Sequence, residues 1–144
     1  MRDLGRAFTR AIPAACSADP VWAGLSSGDK LTLTALVRVD ADGHVTKAEA
    51  TSKDPPKALL NLLRRTVPML QGGTFAVSGG TVTAGTETLE LTAVVSDEPG
   101  DSEKGARDNL AFSYAGGRGK ASFTQTGGRR VDITVHVSHV EATP

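Results

Sequence analysis

Between residues 30 and 77 the hydrophobic period changes from two to three-and-four and back again, and this narrows the fold more than any other feature of the chain. From Lys30, Leu31, Leu33, Ala35, Val37 and Val39 fall on one side, with Thr32, Thr34, Arg38 and Asp40 on the other, the pattern of a half-buried antiparallel strand. Asp42-Gly43 supplies the left-handed position of a hairpin, and Val45 to Ala50 returns as the partner strand. Asp54-Pro55-Pro56 then opens a helix over 56–70, with Asp54 placed to cap it and Pro56 tolerated in its first turn. Leu59, Leu62, Leu63, Thr66, Val67 and Leu70 form its apolar stripe, Pro68 kinks its last turn, and Gly72-Gly73 ends it. Phe75 to Ser78 closes the block as a third strand.

The remainder extends this nucleus. Leu4, Ala7, Phe8, Ala11 and Ile12 share one face of a short N-terminal helix that Pro13 interrupts, and a loop through Pro20, Trp22 and Gly24–Gly28 follows, with Trp22 as its anchor. Thr86 to Val95 alternates like a strand, residues 96–108 are nearly devoid of apolar side chains and read as a mobile loop, and three strands near 110–114, 120–125 and 130–140 make a closing meander. The expected class is α+β: an antiparallel or mixed sheet, one main packed helix (56–70), a short N-terminal helix and a C-terminal β meander. At 144 residues the chain is the size of one domain, able to bury roughly 70% of its unfolded surface. It reads as a single domain over 1–144, with a core at 30–95 and an extension at 109–140, and as the C-terminal part of a longer protein.

Sixteen basic and sixteen acidic residues cancel, so no overall field selects nucleic acid or an acidic partner. No apolar run exceeds three residues, too short for a membrane span or the apolar segment of a secretory signal within this sequence. The lone Cys16 cannot form an internal disulfide and identifies no redox compartment.

Four motifs were weighed for chemistry. Gly24-Leu25-Ser26-Ser27-Gly28 has the spacing of a hydrolase nucleophile elbow, but a loop precedes it and a strand follows, the reverse of what holds such a serine clear of its sheet. Asp40, Asp42, Gly43 and Glu49 fit positions 3, 5, 6 and 12 of a calcium loop counted from Arg38, whose cation would repel the ion at the first position. His44, His136, His139 and Cys16 are metal-ligand types, but on a regular strand 136 and 139 face opposite ways and Cys16 belongs to a separate helix. The fourth is a basic bias over 104–130: Lys104, Arg107, Arg118, Lys120, Arg129 and Arg130 against Asp108 alone, interleaved with Phe112, Tyr114 and Phe123. Aromatics beside cations on a sheet are what readers of single-stranded RNA use, yet i, i+2 spacing makes the same rings core-facing. Arg118, Lys120, Arg129 and Arg130 are therefore candidate contacts for a partner or an anion, and an RNA- or anion-binding module using the turns at 118–130 is the alternative reading. The sequence asks for no catalytic set, no metal and no cofactor.

The segment LTLTALVRVDADGHVTKAEATSKDPPKALLNLLRRTVPMLQGGTFAV, with the later strand TLELTAVVSD, resembles the C-terminal domain of TonB-type energy transducers. Val39-Asp40-Ala41-Asp42-Gly43 matches that family's strand-ending V-D-x-x-G turn, and Val45 onward, Leu59 to Leu70 and Phe75 match its second strand, Leu-rich helix and closing strand. Residues 30–95 carry the likeness; the Tyr-Pro pair found in many members is missing, and the tail beyond Leu91 has no counterpart in the minimal domain. The resemblance implies a non-enzymatic periplasmic or cell-envelope module that pairs with an envelope protein and relays force or signal, usually by accepting a strand on a sheet edge.

Overall fold

The computed structural model describes residues 2–17, 19–76, 85–96, 110–115, 117–124 and 130–142. A short strand β1 (Arg2–Asp3) leads into α1 (Leu4–Ser17), a 3₁₀ turn (Pro20–Gly24), the hairpin β2 (Lys30–Val39) and β3 (Val45–Ala50), α2 (Lys57–Leu70), β4 (Phe75–Ala76) and β5 (Gly85–Ser96). The strands β6 (Leu110–Ala115), β7 (Arg118–Thr124) and β8 (Arg130–Ala142) complete the chain. Six of these form one antiparallel sheet in the order β3-β2-β5-β8-β7-β6, while β1 and β4 pair in parallel beside it. The fold is α+β.

Both helices lie on the same face of the sheet and touch each other: α2 covers β2 and β3, and α1 covers β6, β7 and β8. Alternation places Leu33, Ala35, Val37 and Val39 of β2, Leu89, Leu91, Ala93 and Val95 of β5, and Val131, Ile133 and Val135 of β8 beneath them. Four α2 leucines, Leu59, Leu62, Leu63 and Leu70, are buried against this floor, which contributes roughly 6–12 kcal/mol before entropy is subtracted. Thr66, in the same stripe, donates its hydroxyl to the carbonyls of Leu62 and Leu63, 3.0 Å each. Trp22 is fully buried and stands edge-on to Phe123, ring centres 5.4 Å apart at 79°. The loop it anchors is capped by Asp19, whose Oδ1 accepts the Val21 amide at 3.0 Å. Arg65 Nε stands 3.4 Å from Oδ2, an ion pair not aligned as a hydrogen bond.

Several expectations are corrected. α1 runs through Pro13 without a break, because Phe8, Ile12, Ala15 and Cys16 are buried on both sides of it and hold the helix where one backbone donor is missing. α2 is not capped by Asp54: Pro56 is the N-cap, no side chain caps it, and the Pro56 carbonyl accepts the Leu60 amide at 2.9 Å. Asp54 instead takes a left-handed conformation, φ 51°, that turns the chain into the helix. Phe75–Ala76 does not join the main sheet; it pairs with β1, and the Phe75 amide donates to the Gly43 carbonyl at 2.7 Å. The expected closing strands are present and continue the main sheet, β8 pairing with β5 along nearly its whole length. Of the loop expected at 96–108, Ser96 ends β5 and the rest lies outside the described residues, as do Val77 and Ser78 of the expected third strand and Arg129. Among the described residues no helix is long and apolar enough to cross a membrane.

α1 approaches the sheet closely. A Cβ at Gly119 would collide with the Thr9 side chain, and one at Gly5 would collide with the Tyr114 ring. Thr9 is held in place by its own hydrogen bond to the Gly5 carbonyl, 2.8 Å.

Candidate partner-binding edge

Sheet order decides which strand can accept another. The terminal strands of the six-stranded sheet are β3 and β6; within the unit of residues 30–95 β5 is covered by β8, and no strand pairs with the outer side of β3 among the described residues. Its register is fixed by Leu36↔Glu49, Val37↔Ala48 and Ala35↔Ala50, and one residue further on the Thr51 amide donates to the Thr34 carbonyl at 2.8 Å. Antiparallel pairs alternate, so Thr51, Glu49 and Lys47 spend their backbone groups on β2, while Ala48 and Ala50 point theirs outward. The two outward residues also carry the smallest side chains on the helix side of β3, opposite Val37 and Ala35.

The methyl groups of Ala48 and Ala50 leave a cavity of about 350 Å³ between this edge and α2. Its apolar wall is Leu60, Leu63 and Val67, spaced i, i+3, i+7; Leu63 belongs also to the buried stripe, and Leu60 and Val67 are half-buried beside it. The sequence reading assigned Val67 to the core stripe; it is half-buried and borders the groove with Leu60. Pro55 and Arg64 also line it. Lys47 and Glu49, ion-paired at 3.6 Å, face the other side of the sheet, where charges discourage indiscriminate edge pairing without blocking the groove.

Of the four candidate basic contacts, Arg129 lies outside the described residues and the other three share one face of the sheet. Arg118 and Lys120 are exposed on the sheet face away from the helices, opposite His136 and Thr134. Arg130 is committed: its Nε lies 3.0 Å from Asp132 Oδ1 and its Nη2 donates to Ser122 Oγ at 3.4 Å, while Ser122 donates to the same carboxylate at 2.6 Å. Phe123 points into the core, and Tyr114 sits on the helix side against Gly5. Phe123 and Tyr114 thus lie on the opposite face from Arg118 and Lys120, as period two requires.

The other motifs resolve into turns. Ser26 donates its amide to Asp29 Oδ2 at 2.7 Å and its carbonyl accepts the Asp29 amide, forming the bend into β2 with Gly28 at φ 93°. Asp40 Oδ1 accepts the amides of Asp42 and His44, 2.9 Å each, and the His44 bond above all holds its carboxyl below the ordinary range. Gly43, φ 87°, supplies the left-handed step that the sequence required. Asp40, Asp42 and His44 bring possible ligand atoms within 4.8 Å of one another, but the first is already occupied by the turn. One expectation about the histidines is overturned: a bulge in β8 sets His136 opposite Glu90 and His139 opposite Thr88, so both face the open side of the sheet. Cys16 is buried, and loss of solvent pushes its thiol up to about 12.

Two features escaped the sequence reading. Glu87 is buried on the helix side of β5, as alternation with Leu89 already implied, and it is engaged within the fold. The β3 groove had no local signal, because an edge is defined by which strand is missing beside it. No family profile, curated protein or solved structure matches the chain.

Proposed function

We propose that this chain is a non-enzymatic interaction module that captures an extended segment of a protein partner on the edge of β3. The observation that carries this is the coincidence of outward backbone groups at Ala48 and Ala50 with an apolar groove walled by Leu60, Leu63 and Val67. An added strand satisfies the unpaired donors and acceptors, and alternate side chains enter the groove, small or branched ones fitting best over two alanines. The resemblance of residues 30–95 to TonB-type domains assigns the partner to the cell envelope and the task to contact and relay of force or signal in a TonB-like machine. The hairpin β2–β3 and α2 fall within the resembling segment, Phe75 pairs with β1 rather than closing the main sheet, and the β3 edge lies beside the groove.

The test has two stages. Peptides selected from a random decamer library on the folded chain should move the amide resonances of Ala48 and Ala50 and lose at least tenfold in affinity with Ala48→Pro, which removes one outward donor and obstructs the added strand. Envelope proteins retained by the wild-type chain and not by Ala48→Pro would then identify the partner. Peptides that bind without moving β3, or that bind Ala48→Pro equally well, refute strand addition; recovery of no envelope protein by the folded chain refutes the envelope assignment.

A further inference from the structure

On its opposite flank α2 borders a second, larger cavity, and we propose that this cavity binds a single-chain anionic amphiphile, a medium-chain carboxylate. It measures about 440 Å³ and lies between α1, the end of α2 and β4. That volume falls among those of small-molecule sites, roughly 300–1,000 Å³, and suits one chain of medium length rather than two. Ala7, Ala11, Leu70 and Phe75 make its apolar lining, with Met69 at the mouth.

The lining follows from a repeat in α1. Arg6-Ala7 recurs one turn later as Arg10-Ala11, so each alanine opens space and each arginine stands beside the opening. Arg10 stands one turn, about 6 Å, along the helix from Arg6, and its guanidinium is the one placed to pair with a carboxylate head at the opening. Among the described lining residues the charged ones are Arg6 and Arg10, so charge complementarity selects an anionic head and repels a cationic one. Arg6 is already engaged within the fold; Arg10, exposed like Arg6, is the member of the pair that a variant can reverse most cleanly. Met69 is 50% exposed, an unusual cost for a large apolar side chain, and its unbranched thioether can fold over an acyl chain. This site is separate from the β3 groove and does not depend on its reading.

The probe is decanoate, below its micellar concentration, titrated into the full chain by calorimetry with the Met69 methyl resonance followed in parallel. Saturable 1:1 binding with a moving Met69 methyl is expected, at least tenfold weaker for decanol, for dodecyltrimethylammonium and for Arg10→Glu. Ala11→Leu fills the cavity and should abolish binding; if that variant loses its cooperative melting transition, Ala7→Val replaces it with the same expectation. Absence of saturation, equal affinity for decanol, or retention of affinity in Arg10→Glu and the filled variant overturns the proposal.

Discussion

Proline placed at two neighbouring positions of β3 should give opposite results. At Ala48 the amide points away from β2, so proline removes no ladder bond; at Glu49 the amide is directed at Leu36, so proline deletes one. The Glu49 change leaves the Leu36 carbonyl without its donor, costing about 1–3 kcal/mol, and the ring also presses on β2 where strand spacing is fixed. Ala48→Pro carries only the mismatch between the proline φ and that of a strand, within about 1 kcal/mol, and its restriction of Lys47 to extended geometry agrees with the native strand. The two variants should differ by roughly 2 kcal/mol. With a urea dependence of about 2 kcal/mol per molar, the unfolding midpoint of Glu49→Pro lies about 1 M below that of Ala48→Pro. Equal midpoints, or the reverse order, would show that the backbone groups at Ala48 do not face outward, and the edge site would be lost with them.

Two further outcomes test the core. Burial first, and the Asp19 carboxylate second, raise the Cys16 thiol from 9.0 to about 12, against the opposing pull of Arg65 and Trp22. The unfolded thiol releases its proton near its ordinary value while the native one retains it, so this contribution to stability is complete below about pH 9 and declines from there toward 12. By pH 10 the wild type should have lost roughly 1 kcal/mol relative to Cys16→Ala, measured by denaturant unfolding at several pH values; parallel curves for the two proteins contradict it. Gly119→Ala drives a methyl into Thr9 and should cost about 1–3 kcal/mol, a fall of roughly 3–10 °C in thermal midpoint. An unchanged midpoint would mean that α1 is not held so near β7.

The sequence by itself determined the local conformations and the side on which each residue falls. Period two placed Leu33, Ala35, Val37 and Val39 in the core, and placed Arg118 and Lys120 opposite Phe123; helical spacing marked the stripe of α2, and Asp42-Gly43 marked the hairpin. These are properties of a few adjacent residues and need no distant partner. Sheet order, by contrast, was decided only in the tertiary structure. That β8 lies between β5 and β7 follows from which apolar faces can be buried together, and it alone turns the tail into part of one sheet and leaves β3 at an edge. The continuity of α1 through Pro13, the bulge that turns His139 to the face of His136, and the need for glycine at 5 and 119 share that origin: each is set by what packs against the residue. Both grooves beside α2 belong to the same class, since a groove is the space left by small side chains on two elements distant in sequence. Local periodicity specifies each wall and is silent on what stands across from it.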